Sequence, residues 1–241
     1  MRAVILAAGE GSRLRPLTET LPKPLLPVAG RPLLAHLIDL LRRHGVNEVA
    51  LNLHHLPAAI PAYLGDGRRF GVRATYSLEE RLLGSAGGVK RMEAFFGDEP
   101  FFVLYGDVLT DLNLTTLRAF HAARGAALTM ALYRPEDISA CGAVQVESTG
   151  RILAFFEKPA PGQEPSPWAN AGIYVVDPAV LRSIPPDQAC DFGADLFPLL
   201  LEQGVPLFGY ASDALVLDIG SPARYRRAQA AGERLAVPRA A

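Results

Sequence analysis

The chain has 241 residues, with 24 Lys plus Arg against 25 Asp plus Glu and a formal net charge of −1. A near-neutral balance excludes the basic footprint of a nucleic-acid binder, and 20% charged residues with a positive mean hydropathy exclude disorder. No apolar run reaches the ~18 residues of a membrane span, and two distant cysteines, Cys141 and Cys190, without metal spacing point to a reducing cytoplasm.

The apolar run at 3–7 reads as a buried first strand, cut by Gly9-Glu10-Gly11 before it reaches the length of a secretion signal. Pro32 opens the clearest helix: Leu33, Leu34, Leu37, Leu40 and Leu41 share one stripe, and Gly45 stops it. Strands are predicted at 48–53, 73–77, 101–105 and 127–132, alternating with helices at 57–64, 86–96 and 114–124. Such alternation predicts a mixed, mostly parallel sheet covered by helices. From 142 onward the pattern becomes a hairpin, 143–146 and 152–157, turning at Ser148-Thr149-Gly150. Four prolines between 159 and 167 predict a surface loop or flap. Strands at 171–176, 207–210 and 215–217 and helices at 194–203 and 222–235 complete the chain. With no repeat, linker or composition break, one α/β domain over 1–241 with a small antiparallel insert is expected. Adjacent His54 and His55 would face opposite sides of a strand and cannot chelate together.

Several short stretches carry possible chemistry. Gly9-Glu10-Gly11-Ser12-Arg13 directly follows the first strand, where glycines let backbone N–H groups approach phosphate and Arg13 can grip it bidentately. It lacks the third glycine of a dinucleotide fingerprint and the Gly-Lys-Ser/Thr of a Walker A loop, and the prolines from 16 to 27 deny it the helix that the dinucleotide motif opens. Pro22-Lys23-Pro24 fixes the backbone on both sides of one lysine, predicting an ammonium held on a stiff extended segment. Asp107 and Asp218 each follow a hydrophobic strand, and two carboxylates converging beside phosphates would hold Mg²⁺. Taken singly, either is a turn former, and Asp218 could cap the helix near Pro222. In Glu157-Lys158 a carboxylate could accept sugar hydroxyls while the lysine meets an anion; an exposed charged edge is the plainer account. Gly84-Ser85-Ala86-Gly87-Gly88 leaves room for a flat base at a helix start.

The basic residues carry one further signal. Only three of the 24 are lysines, Lys23, Lys90 and Lys158, and two of these abut prolines. Codon bias accounts for the shortage but not for where the survivors stand.

Taken together and in order, these motifs resemble the sugar-1-phosphate nucleotidyltransferases: residues 6–18, Pro22-Lys23-Pro24, Gly84-Ser85-Ala86-Gly87, Gly106-Asp107, Glu157-Lys158-Pro159, Asn170-Ala171-Gly172 and Asp218-Ile219-Gly220. The hairpin and the 170–174 stretch are most similar to the mannose-1-phosphate guanylyltransferase branch. Leu217 stands where many members have tryptophan, and 190–195 lacks that branch's Glu-Lys pair. The resemblance implies a Rossmann-like fold without a left-handed β-helix domain. It implies transfer of a nucleotidyl group from a triphosphate to a sugar 1-phosphate with Mg²⁺: guanylyl to mannose 1-phosphate first, uridylyl to a glucose- or muramate-type sugar 1-phosphate next, with thymidylyl or cytidylyl transfer as further alternatives. Catalysis would fall to Arg13, Lys23 and Asp107. Ala8, Gly9, Gly11, Ser12, Arg13, Lys23, Gly84 and Ser85 would bind nucleotide; Gly142, Glu157, Lys158 and Asn170 the sugar phosphate; Asp107 and Asp218 the metal. A homo-oligomer is compatible with this reading, and neither nucleic acid nor membrane is an expected partner. A metal-dependent glycosyltransferase is disfavoured by the spacing of Asp107 and Asp111, and a silent nucleotide-sugar-binding subunit by the retention of every lysine and aspartate of the set.

Overall fold

The computed structural model describes residues 1–160 and 166–235. In chain order the elements are β1 (Arg2–Leu6), α1 (Leu17–Thr20), β2 (Pro27–Val28), β3 (Arg31–Pro32), α2 (Leu33–Arg43), β4 (Glu48–Leu53), α3 (Ala59–Leu64) and β5 (Arg73–Leu78). These are followed by α4 (Gly84–Arg91), α5 (Glu93–Phe96), β6 (Phe101–Tyr105), β7 (Val108–Thr110), α6 (Leu114–Arg124), β8 (Leu128–Tyr133), β9 (Gly142–Val146) and β10 (Ile152–Glu157). The chain then forms β11 (Ala169–Val176), a π-helical turn (Phe192–Leu196), α7 (Phe197–Glu202), β12 (Leu207–Ala211), β13 (Val216–Asp218) and α8 (Pro222–Leu235).

Nine strands form one mixed sheet, ordered β10-β9-β11-β6-β1-β4-β5, with β8 and β12 joined through β11. The run β6-β1-β4-β5 is parallel, whereas β11 is antiparallel to β6, β8 and β9. Strand residues alternate between faces. Ala3, Ile5, Val49, Leu51, Phe102 and Leu104 pack under α2 and α3, while Val4, Ala50, Val103 and Tyr174 pack under α4 and α7. The leucine stripe of α2 is wholly buried, and each such side chain contributes about 1.5–3 kcal/mol.

Four expectations change. The helix predicted over 86–96 starts at Gly84 and breaks at Met92 into α4 and α5. The one predicted at 194–203 begins as the π-helical turn, because Asp191 caps it two residues early through the backbone N–H groups of Gly193 and Ala194. Lys23 stands in a 3₁₀ turn rather than an extended segment: Leu26 N donates to its carbonyl at 3.0 Å, which buries Pro24 and Leu25. His54 and His55 lie past the end of β4, bound to the carbonyls of Glu79 and Thr18. Of the predicted proline flap, residues 161–165 lie outside the described residues.

Two small ribbons were not foreseen, and one positions the site. β7 pairs with β13, setting Asp218 opposite Val108, and Ile219 N donates to the Asp107 carbonyl at 2.9 Å. A separate small core of Leu14, Leu26, Leu109, Ile219 and Tyr225 fastens the loop after β1 to this ribbon and to α8.

Candidate active site

Because β1 and β6 are parallel neighbours, the loop at Gly9–Arg13 and Asp107 emerge from the same sheet edge. Two cavities meet there, of about 320 and 270 Å³, and Asp107 and Tyr105 line both. The first contains Ala8, Gly9, Lys23, Gly84 and Ser85 of the expected nucleotide set. The second contains Arg13, Gly142, Glu157, Lys158, Asn170 and Asp218, so the expected sugar-phosphate residues and both expected metal ligands converge. Gly11 and Ser12 line neither. Ser12 is exposed at the start of a 3₁₀ turn, while Gly11 is buried behind the lysine.

At the junction, Lys23 Nζ donates to Asp107 Oδ2 at 2.9 Å, with about a fifth of each side chain exposed. Gly11 makes this possible. Its φ is +68°, and a Cβ there would lie 2.8 Å from Thr18 Cγ2 and 2.9 Å from Lys23 Cγ. Asp218 is not the cap of α8, as Ser221 Oγ meets the Arg224 N–H instead. Asp218 Oδ1 accepts from Gly220 N at 2.9 Å, and its other oxygen pairs with Arg224. Arg13 approaches the same loop, its Nη2 3.0 Å from where a Cβ of Gly220 would stand.

Lys158 pairs with Glu157 Oε1 at 3.3 Å and remains largely exposed. Its backbone is left-handed, φ 49°, held by its N–H on the Cys141 carbonyl at 3.1 Å. A non-glycine residue in that region is strained, and such strain concentrates at functional sites. Gly142 lies against the Phe155 ring, where a Cβ would meet Cζ at 2.5 Å. Asn170 donates to Tyr174 OH at 2.8 Å and accepts from Gly172 N.

Ser85 lines the first cavity, but its hydroxyl is committed: it donates to Asp191 Oδ2 at 2.6 Å and accepts from Phe192 N. It therefore ties the floor of one cavity to the wall of the other. Burial, reinforced by the Asp191 charge, pushes the Tyr105 phenol above its ordinary value. Burial likewise raises Tyr174, so both stay neutral hydrogen-bonding groups.

Sequence reasoning missed Asn52, Glu79, Tyr105, Asp191 and Arg224, all of which line these cavities. Glu79 is 2% exposed; its Oε1 accepts from Asn52 Nδ2 at 2.8 Å and its Oε2 from Leu83 N at 3.0 Å. Asn52 Oδ1 in turn accepts from Ala7 N at 2.7 Å. A polar residue inside the apolar strand 48–53 was the available signal, since a buried amide needs partners. The others had none, because the cavities they line are assembled from segments far apart in sequence.

Asp107 and Asp218 could offer two carboxylates to a Mg²⁺ ion, whose shell phosphate oxygens and water would complete. Among the described residues no group of three or more His, Cys, Asp or Glu could hold a metal by itself. The donor set thus fits a metal that arrives with phosphates.

The nucleotidyl transferase family profile matches residues 2–234. The chain belongs to that family. It is 42% identical over 241 residues to a UTP–glucose-1-phosphate uridylyltransferase of Synechocystis and 36% identical over 229 residues to a mannose-1-phosphate guanylyltransferase of Mycobacterium tuberculosis. Each alignment covers 95% of this chain, which spans 62% and 63% of those relatives' lengths. A solved putative glucose-1-phosphate thymidylyltransferase from Bacillus anthracis is 25% identical and superimposes with a TM-score of 0.88 over 99% of this chain and 98% of its own. The nucleotidyl transferase fold expected from the sequence is therefore the fold observed.

Proposed function

We propose that this chain transfers a nucleotidyl group from a nucleoside triphosphate to a sugar 1-phosphate, releasing pyrophosphate. The observation that carries this is the Lys23–Asp107 pair at the junction of the two cavities, with Asp218 brought alongside by the β7–β13 ribbon. In-line attack by a sugar-phosphate oxygen on the α-phosphorus needs positioning and charge neutralisation rather than covalent help. Gly9 and the neighbouring backbone admit the triphosphate, and Arg13 stabilises the departing pyrophosphate. Lys23, held ready by Asp107, meets the α-phosphate. Lys158 takes the sugar phosphate, and Glu157, Gly142 and Asn170 face the sugar hydroxyls. Mg²⁺ held by Asp107 and Asp218 would supply charge neutralisation between the two substrates.

Glu79 and Asn52 line the first cavity. The Glu79 carboxylate already accepts from Asn52 Nδ2 and Leu83 N, and as an acceptor it would meet the ring N–H of guanine, uracil or thymine or the amino groups of adenine and cytosine alike, so it does not by itself choose the base. GTP with mannose 1-phosphate is the reading favoured by the hairpin and 170–174 motifs. UTP with glucose 1-phosphate is the second reading, favoured by the 42% identity to the Synechocystis uridylyltransferase. A pyrophosphate-release matrix of GTP, UTP, dTTP, CTP and ATP against mannose, glucose, galactose and N-acetylglucosamine 1-phosphates with Mg²⁺ tests both. The expected result is one dominant pair within the GTP, UTP and dTTP rows. Turnover confined to CTP or ATP removes both readings of the base, and no release in any well removes the reaction.

A further inference from the structure

Nothing in the reaction just described uses Arg224, yet it faces the sugar-side cavity beside Lys158 and Asp218. It stands in the first turn of α8, and 29% of its side chain is exposed. That turn is anchored: Tyr225 OH donates to the Pro27 carbonyl at 2.7 Å, and Tyr225 and Ala228 sit in the small core. The backbone of Arg224 is thereby fixed, and the side chain is what can change partner. Its Nη1 pairs with Asp218 Oδ2, while among the described residues Nη2 has only Cys141 Sγ, 4.0 Å away, a weak acceptor.

The pairing pattern across the two cavities is consistent. Lys23 holds Asp107, Lys158 holds Glu157, and Arg224 holds Asp218. Of the four cations that line the two cavities, these three are parked on a carboxylate, and Arg13 has no such pair among the described residues. An arginine fork matches phosphate bidentately, and in a half-buried cavity that match outweighs the single bond to one carboxylate oxygen.

We propose that Arg224 binds the phosphate of the sugar 1-phosphate and that, in the free protein, it occupies Asp218. The proposal rests on the reading of this site as a sugar-1-phosphate nucleotidyltransferase centre. Arg224 then acts in two opposed ways. It attracts the sugar phosphate, and until that phosphate arrives it competes with a divalent cation for Asp218. Binding of the phosphate draws the guanidinium away and leaves Asp218 free to ligate. By linkage, whatever the phosphate gains from Arg224 is gained together with the cation site.

The opposed signs give the test. Wild type, Arg224→Gln and Arg224→Lys are titrated calorimetrically with glucose 1-phosphate and mannose 1-phosphate without metal, with the free sugars as controls. Mn²⁺ binding without substrate is measured by paramagnetic resonance. Arg224→Gln should weaken sugar 1-phosphate binding by about tenfold or more, the loss of a charge-assisted pair, while tightening Mn²⁺ severalfold. Arg224→Lys should recover part of the sugar-phosphate affinity and hold Mn²⁺ nearer wild type. Unchanged sugar-phosphate affinity in Arg224→Gln overturns the proposal while leaving the reaction in place. A joint fall in sugar-phosphate and Mn²⁺ affinity also overturns it, marking Arg224 as a support of Asp218 alone. Wild type that binds neither sugar phosphate removes both this proposal and the reading beneath it.

Discussion

Lys23 reaches Asp107 along a path that only glycine leaves open. A methyl group on Gly11 would press within 3 Å of the Lys23 stem and of Thr18, at a φ that L-residues avoid. Gly11→Ala should therefore displace the ammonium and lower kcat at least about tenfold, since a misplacement of 1 Å can cost about 10²-fold; steady-state kinetics with circular dichroism as a folding control checks it. The three lysines differ in what they hold. Lys90 makes an i,i+3 pair with Glu93 at 2.8 Å, whereas Lys23 and Lys158 face the cavities. Replacing a compact ammonium by a planar fork should lower kcat about 10²-fold for Lys23→Arg and raise the sugar-phosphate KM about tenfold for Lys158→Arg. Lys90→Arg should stay within about twofold, because Lys90 pairs with Glu93 and lines neither cavity. Equal tolerance at all three positions would reduce their placement to coincidence. At this scale the lysines, the glycines and the two aspartates were legible, because short motifs carry them. Glu79 and Arg224 were not, because other segments supply what defines them, Asn52 for Glu79 and the sugar-side cavity for Arg224; Asn52 left only the hint of an amide in an apolar strand, its partner Ala7 N lying 45 positions away.

Among the elements, those with a complete local signal matched their prediction. Helix α6 spans Leu114–Arg124 as expected, because Asn113 caps it by accepting from Thr115 N and Thr116 N, and Gly125 ends it with a left-handed φ. Asn113→Ala should cost about 1 kcal/mol, seen as a lower urea midpoint with unchanged slope and unchanged turnover. A shift within 0.3 kcal/mol, on the order of the error in such comparisons, would mean the cap is redundant. Where two signals compete, the outcome moved. The predicted 86–96 helix breaks at Met92, and Asp191, which precedes the predicted 194–203 helix, extends α7 backwards into a π-helical turn while also holding Ser85. The β7–β13 ribbon escaped notice for a different reason: β13 was foreseen near 215–217, but three-residue β7 carries too little alternation to be read, and the two strands lie about a hundred residues apart.

On the scale of the whole molecule, the two sheet faces, the small third core and the buried polar groups form one continuous structure, and no buried side-chain N or O lacks a partner among the described residues. His121 is one such group: 4% exposed, it binds Thr129 Oγ1 at 3.0 Å through Nδ1 between α6 and β8. Burial lowers its pKa below the ordinary 6.5, so the folded state takes up a proton less readily than the unfolded chain. Its contribution is then full above pH 6.5 and is lost as pH falls from 6.5 through the folded value. Thermal midpoints should fall between pH 7.5 and 5.5, with a smaller fall in His121→Gln; an equal fall in both would assign the sensitivity elsewhere. The sequence by itself determined the strand and helix order, the sheet class, and the family to which the chain belongs, because periodicity, glycines and prolines act locally and the motifs keep their order. Tertiary structure alone decided that Ser85 spends its hydroxyl on Asp191, that Glu79 and Asn52 wall the first cavity, and that Arg224 holds Asp218. The first two pairings join residues 106 and 27 positions apart, a distance no local pattern encodes, and the third, six apart, depends on how the chain turns from β13 into α8.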